Sequence, residues 1–374
     1  MVLPLLLSAS SYAIFNNSFS NGLLLFKVLI LIYLLGTTIR KAKFNAFDVS
    51  IFIFIIIYMV TVLINEQPLM NGLKESAMIL CYVLLIKRSS LNDSHRVIFF
   101  KVFSDAFTAL LFLNAFFLLL HPTGLFGAYA NGETIYGVDM VKTRYNFLGL
   151  DNAVTPIIIC AIIVWSTTKE LCTRQKFIYY TEYAVLLGNI LLLKSSTLLV
   201  AILIIVSCSL IKRNKKKFKI TMNRILILIG VLFFLVVIFN QMEIFSLLIV
   251  DLLHKDLSLT SRTNIWQMSI LYFFDKPIIG HGIGNFTFLF ADRNAHNMYL
   301  QIAAQMGIIG ICSLITSCLI SAKHAIKTTK YGTISMAGVF AFFVCCLSEV
   351  YYTYWLFLIL ALIHYTKNVN NSTP

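Results

Sequence analysis

Charged side chains are scarce in this sequence of 374 residues, because Asp, Glu, Lys and Arg together make up only 12% of it. A soluble globular protein usually carries about 25% charged residues. Hydrophobic residues account for 59% of the chain, and the mean hydropathy is +0.85. A composition with so few charges and so many apolar residues excludes a soluble globular domain.

Apolar runs of membrane-spanning length recur along the whole chain. A helix needs about 20 apolar residues to cross a hydrocarbon core of about 30 Å. We therefore predict an all-α polytopic membrane protein with about 12 transmembrane helices, within a range of roughly 10 to 12. It would form one integral membrane domain over residues 1–374. The predicted segments lie near 2–15, 22–39, 47–64, 70–86, 98–120, 151–168, 177–193, 197–211, 225–245, 298–320, 333–350 and 352–366.

Three absences narrow the function further. The N-terminus lacks the basic region of a cleaved signal peptide, since the first basic residue is Lys27. The eight cysteines fall mainly within apolar segments and form no CxxC pattern, so we expect them to be small buried hydrophobes. The external connections contain no cluster of Asp and His suited to a metal. We therefore expect neither a metal nor another cofactor.

Basic residues mark one side of the membrane. Most of the 30 Lys and Arg residues fall in alternate connections, and the densest cluster is "KRNKKKFK" at residues 212–219. Cytoplasmic connections retain Lys and Arg, so we predict a protein of the cytoplasmic membrane with both termini inside. The net charge of +14 is then a topology signal, with contacts to anionic lipids, and it does not indicate nucleic-acid binding.

Two external connections, residues 121–150 and 246–297, are longer than the topology requires. Long loops in compact proteins are usually functional or disordered, and the mixture of aromatic, glycine and charged residues here favours ordered loops. Within the second connection, "SRTNIWQMSILYFF" has helical character, with Ser261 as a cap. We expect an amphipathic helix lying at the external membrane interface.

Arg262 occupies the first turn of this expected helix. A positive charge gains nothing there from the helix dipole, which favours anions at the N-terminus. An arginine in the first turn of a helix is explained if the helix N-terminus and the guanidinium both face a phosphate group. The alternative is an arginine that extends to the surface or to the membrane interface.

The segment "PIIGHGIGNF" follows, and its three glycines resemble a nucleotide-binding loop. No strand precedes them and no GK[ST] sequence follows, so this interpretation is rejected. We expect a tight turn whose backbone approaches a ligand or the external membrane face. His281 within this turn is a further candidate for substrate contact.

A polar stripe begins the next apolar segment, "HNMYLQIAAQMGIIG". Asn297, Gln301 and Gln305 recur every four residues, and polar side chains on a membrane helix face protein or a water-filled cavity. His296 stands at the helix N-terminus, where the dipole disfavours an imidazolium. A neutral imidazole beside a cleft can accept a proton from a hydroxyl group. The alternative is an interfacial histidine that caps the helix.

The stretch "SRTNIWQMSILYFFDKPIIGHGIGNF" followed by "AHNMYLQIAAQMGIIGI" resembles the O-antigen polymerase and ligase family. The close resemblance covers residues 261–311. Two upstream stretches are similar to further family motifs, namely "RYNFLGLDNA" and "LLLKSSTLLVAIL". The second departs from the pattern, because Ser196 stands where the family has an arginine and Lys194 lies two residues earlier.

The resemblance implies an integral-membrane glycosyltransferase whose donor is a polyprenyl-diphosphate-linked oligosaccharide. In the leading hypothesis a polymerase joins lipid-linked repeat units into an O-antigen or capsular chain at the external face. The alternative is a ligase that transfers a finished glycan to lipid A-core or another terminal acceptor. A flippase or transporter is less expected, since the polar residues concentrate at one face and the sequence shows no internal repeat. Partner proteins would be a flippase and a chain-length regulator.

The resemblance also assigns roles to individual residues. His296 would be the base that deprotonates the acceptor hydroxyl, and Arg262 would stabilise charge on the diphosphate leaving group. Displacement in one step would invert the anomeric carbon, without a metal. Among the acids in apolar segments, Asp105 is expected to pair with Lys101 four residues earlier, and Glu182 and Glu349 are interpreted as helix–helix contacts. Further candidates for binding the diphosphate or the glycan are Arg144, Asn152, Lys194, Asn285, Arg293, Asn297 and Gln301.

Overall fold

A computed structural model describes residues 17–39, 43–122, 145–214, 220–239, 262–284, 286–288, 291–322 and 330–365. These residues form an all-α structure with two short β-hairpins. Its twelve helices are α1 (Asn17–Ile39), α2 (Ala46–Ile64), α3 (Leu69–Ser89), α4 (Asp93–Leu120), α5 (Thr155–Leu171), α6 (Lys176–Leu192), α7 (Ser196–Asn214), α8 (Met222–Phe233), α9 (Arg262–Asp275), α10 (Met298–Ala322), α11 (Lys330–Cys345) and α12 (Thr353–Tyr365).

The two hairpins lie in the connections that were predicted to be external. The first pairs β1 (Tyr145–Asn146) with β2 (Gly149–Leu150), and a 3₁₀ turn at Asp151–Val154 leads from it into α5. The second pairs β3 (Phe286–Phe288) with β4 (Ala291–Arg293) directly before α10. Each hairpin therefore lies just before the start of a long apolar helix.

Among the described residues, four segments are long and apolar enough to cross a membrane, namely Ala46–Ile64, Asp93–Leu120, Asp151–Leu171 and Met298–Ser321. Five further apolar helices are shorter, and the amphipathic segment predicted around residue 262 is the helix α9. The all-α polytopic character is thus confirmed, whereas the count of about 12 spans stays a prediction. The predicted segment at 2–15 lies outside the described residues.

Two helices form the centre of the bundle. In α5 the side chains of residues 155–168 are all buried, and in α12 those of residues 354–365 are all buried. Helices farther out keep apolar side chains on the surface, and Ile56 of α2 and Phe112 of α4 are both more than half exposed. A helix that is apolar all round suits a protein core, while apolar outer faces suit a lipid environment.

Helix α10 is broken at Gly307, where φ is 61° and ψ is −161°. The turn at residues 277–284, called the glycine turn below, fills the break. The N–H of Ile308 donates to the carbonyl of Pro277 at 2.8 Å, and the turn donates in return to the carbonyl of Ala304 at 2.8 Å. Backbone groups that lost their helical partners are therefore satisfied by the turn.

Glycine is required on both sides of this contact. A Cβ atom added at Gly280 would lie 2.4 Å from the backbone carbon of Gln305, and one added at Gly307 would lie 2.2 Å from the carbonyl oxygen of Ile278. Both glycines also have a positive φ. The structure therefore shows the close backbone approach expected from the sequence, but the neighbour is α10 instead of a ligand or the membrane face.

The connection between α2 and α3 holds the glycine turn from a third direction. The side chain of Asn65 donates to the carbonyl of Gly280 at 3.2 Å, and the side-chain oxygen of Gln67 accepts from the N–H of Ile283 at 2.7 Å. The turn is thereby fixed between α10 and the end of α2.

Replacing Gly280 with alanine should destabilise the protein, because its Cβ would collide with the backbone of α10. We expect a loss of roughly 1–3 kcal/mol, measured as a lower thermal unfolding midpoint of the detergent-solubilised protein. Gly230→Ala in α8 is the matched control, since nothing lies within 4 Å of that position. Equal midpoints for the two variants would contradict the close contact.

Candidate functional site

The connection between α11 and α12, residues 346–352, joins stretches that are far apart in the sequence. The N–H of Met298 donates to the carbonyl of Cys346 at 2.9 Å. The side chain of Asn297 donates to the carbonyl of Leu347 at 2.8 Å. The start of α10, which carries the predicted His-Asn motif, is therefore attached to the beginning of this connection.

Arg262, the first residue of α9, binds the next two residues of the same connection. Its Nη2 donates to Oε1 of Glu349 at 2.8 Å, and its Nη1 donates to the carbonyl of Ser348. The side chains of Arg262 and Glu349 are 20% and 11% exposed. In this structure the guanidinium thus meets a carboxylate, and a role of Arg262 in binding a phosphate stays a prediction.

The Glu349 carboxyl group sits where sequence reasoning expected a helix–helix contact. Helix α11 ends at Cys345, so Glu349 lies in the connection and bonds to Arg262 and to the side-chain nitrogen of Asn152, which is 2.8 Å from Oε1. Burial raises the pKa of Glu349 above its ordinary value, and the nearby Arg262 guanidinium lowers it in opposition. Its partners could not be deduced from the sequence, since 87 residues separate it from Arg262.

Asn152 extends the polar contacts to the turn between α6 and α7. Its side-chain oxygen accepts from the hydroxyl of Ser195 at 3.0 Å, and that hydroxyl lies 2.9 Å from the Thr197 hydroxyl. The same Ser195 oxygen accepts from the N–H of Leu198 at 3.2 Å and so caps α7. Lys194 is exposed beside them. The stretch with the unusual lysine therefore adjoins the Arg262–Glu349 pair.

The residue that caps α10 is Asn297 and not His296. The fully buried side chain of Asn297 accepts from the N–H groups of Tyr299 and Leu300, both at 3.0 Å. The alternative in which His296 caps the helix is therefore wrong. His296 has a φ of 46°, and its N–H donates to the side chain of Asn294 at 2.9 Å. A positive φ is uncommon for residues other than glycine, and it turns the chain sharply at the histidine.

Two glutamines of the polar stripe face protein, as the sequence predicted. Gln301 accepts from the N–H of Ala295 at 2.7 Å and donates to the carbonyl of Gly284 at 2.8 Å. Gln305 donates to the same carbonyl at 2.8 Å. These contacts fix the glycine turn beside α10, and a direct role of Asn297 or Gln301 in substrate binding stays a prediction.

His281, the other histidine of the motif region, packs against α9. Its Nε2 donates to the carbonyl of Tyr272 at 2.9 Å, and the Asp275 carboxylate lies 3.4 Å from that nitrogen. Its ring also contacts the Tyr272 ring edge to face. These contacts hold the glycine turn on α9 and give His281 a structural role beside the predicted one.

Three predicted residues cannot be located in the same detail. Arg144 and Asn285 lie outside the described residues, and for Arg293, at the end of β4, the structure describes the backbone alone. Apart from Gln301, which bonds to Ala295 and Gly284, the remaining predicted residues cluster. Arg262, Asn152 and Asn297 each bond to residues 347–349, while His296 and Lys194 are sequence neighbours of residues in the same set of contacts.

Residues 183–315 match the family model described as O-antigen ligase. The matched region contains the turn at Lys194, all of α9, the glycine turn and the start of α10. The resemblance to an O-antigen ligase or polymerase-like family is therefore confirmed. No curated protein matches the chain.

Replacing Asn297 with alanine should destabilise the protein more than loss of a helix cap alone. The cap is worth about 1 kcal/mol, and the carbonyl of Leu347 would also lose its donor, so we expect a total of roughly 2–4 kcal/mol. Asn92→Ala provides the control, because Asn92 caps the start of α4 at an exposed position. Thermal unfolding in detergent measures both, and shifts of equal size would show that the Leu347 contact is unimportant.

Proposed function

We propose that this chain, whose residues 183–315 match the O-antigen ligase family, is a membrane glycosyltransferase. It would polymerise polyprenyl-diphosphate-linked oligosaccharide repeat units into an O-antigen or capsular polysaccharide. The observation that carries the proposal is the attachment of both motif segments to one connection. Arg262 bonds to Ser348 and Glu349, and Asn297, next to His296, bonds to Leu347.

The donor in this reaction is already activated, because a polyprenyl diphosphate is a good leaving group. The protein then has to stabilise the negative charge that develops as the bond to the anomeric carbon breaks. Arg262 is the proposed cation at this position, and Arg144, Lys194 and Arg293 would add positive charge. Lys194 offers a point charge instead of the planar fork of an arginine, so it would attract the diphosphate without orienting it.

His296 is the proposed base. Its imidazole would accept the proton of the acceptor hydroxyl while the hydroxyl oxygen attacks the anomeric carbon and the diphosphate departs. A single displacement of this kind inverts the anomeric carbon and needs no metal. The backbone at His296 is restrained between the Asn294 contact and the cap at Asn297, which supports a fixed position of the ring.

The proposed site would lie at the external face, with both termini in the cytoplasm. Lys and Arg favour the cytoplasmic ends of membrane helices, and the position of Lys87 supports this topology. Lys87 forms a buried ion pair with Asp48 at 2.7 Å, at the start of α2 and the end of α3. The glycine turn binds Asn65 and Gln67 at the opposite ends of these helices. A flippase that delivers the donor and a chain-length regulator are the proposed partner proteins.

A ligase is the second candidate function, and the name of the matching family favours it. In that case the acceptor would be lipid A-core or another terminal acceptor instead of a second repeat unit. Both reactions place the same demands on Arg262 and His296, so the acceptor distinguishes them.

Replacing His296 with alanine should abolish the transfer if its imidazole is the base. We expect a loss of roughly 10²–10⁴-fold in turnover, measured as chain extension by the purified protein reconstituted with lipid-linked repeat units. His121→Ala is the control, because His121 is an exposed histidine at the end of α4. Undiminished extension by the His296 variant would refute the assignment.

Assays of the same reconstituted protein with and without lipid A-core identify the acceptor. If the protein is a polymerase, the lipid-linked product grows by repeat units when no lipid A-core is present. A ligase would instead transfer glycan to added lipid A-core and leave the repeat units unextended. Transfer to neither acceptor by the folded protein would contradict both functions.

A further inference from the structure

We propose that Glu349 is a positioning residue that holds the Arg262 guanidinium and the Asn152 amide toward the lipid diphosphate, an inference that rests on the proposed function. A single carboxylate oxygen accepts a hydrogen bond from each of these two groups. Oε1 of Glu349 accepts from Nη2 of Arg262 and from the amide nitrogen of Asn152, each at 2.8 Å.

Arg262 is held at two points. Besides the Glu349 contact, its Nη1 donates to the Ser348 carbonyl. Two anchored nitrogens fix both the place and the plane of a guanidinium. A guanidinium has five N–H donors, so these contacts use two of them and leave the group able to serve a phosphate as well. The carboxylate therefore orients Arg262 without consuming its capacity to donate.

Asn152 is oriented in the same way. Its nitrogen donates to Glu349, and its oxygen accepts from the Ser195 hydroxyl at 3.0 Å. The orientation of the Asn152 amide is thus fixed by one hydrogen bond at its nitrogen and one at its oxygen. Because Ser195 also caps α7, the contact links the predicted Lys194 turn to the arginine through a continuous series of hydrogen bonds.

Stability alone gives a weak account of this carboxylate. The Glu349 side chain is 11% exposed, and burial raises its pKa, so keeping it charged costs free energy. Replacing a buried ion pair by apolar groups is often neutral or stabilising. A negative charge beside an anionic substrate also opposes binding. A role in orienting the arginine explains why the cost is tolerated.

This role predicts different results for two substitutions. Glu349→Ala removes the acceptor, so Arg262 loses its orientation, and we expect kcat to fall at least about tenfold. Glu349→Gln keeps an oxygen that can accept from Arg262, and it removes a negative charge. We expect this variant to keep kcat within about threefold of the parent, with an equal or lower KM for the donor.

The experiment measures kcat and KM for the lipid-linked donor in the reconstituted full-length protein. It compares Glu349→Ala, Glu349→Gln, Arg262→Ala and the double variant Arg262→Ala with Glu349→Ala. Glu66→Gln, which changes an exposed acid in the connection between α2 and α3, is the control. Thermal unfolding identifies the variants that fold.

In the expected result, Arg262→Ala is impaired, and the double variant loses less than the two single losses combined, because part of the effect of Glu349 passes through Arg262. Additive losses would overturn the proposal, and so would parental turnover of Glu349→Ala. If Glu349→Ala does not fold, a folded Glu349→Gln variant that has lost tenfold in kcat overturns it. Parental kinetics of Arg262→Ala would instead refute the assigned role of Arg262 in the proposed function.

Discussion

The ion pair between Arg262 and Glu349 forms in a protein whose residues are 59% hydrophobic. A charge withdrawn from water must find an opposite charge or hydrogen-bond partners, and few are available in such surroundings. The pair therefore brings the start of α9 to the connection between α11 and α12. Asn152 follows because its amide nitrogen donates to the same carboxylate, and Ser195 follows because its hydroxyl donates to the Asn152 oxygen. One polar contact thus determines where four separate stretches of the chain meet.

The glycine turn restrains the first half of α10, the helix that follows His296. The first half of α10 is bound at its start by Asn297, along its length by Gln301 and at its end by the turn that enters the break at Gly307. A helix segment held at three places offers little freedom to the histidine that precedes it. Groups that act on a substrate depend on supporting contacts of this kind.

The sequence predicted the helices well, because the length of an apolar run is a direct physical requirement of the membrane. The segment predicted at 47–64 is the helix Ala46–Ile64, for example. Contacts between distant residues were harder to predict. Glu349 was recognised as an unusual acid, but nothing local indicates its partners. The break at Gly307 was not foreseen either, since an isolated glycine is tolerated within a helical pattern. The glycine turn was expected to approach something closely, and only the fold shows that α10 is its neighbour.

The connection between α11 and α12 is proposed to gather the groups that act on a lipid diphosphate. The most direct measurement is an electron cryo-microscopy structure of the protein in a lipid nanodisc with a bound polyprenyl-diphosphate oligosaccharide. We expect diphosphate oxygens within hydrogen-bonding distance of the Arg262 guanidinium, and the sugar on the side of His296. A diphosphate bound beside Lys169, which lies at the opposite end of α5 from Asn152, would refute this placement.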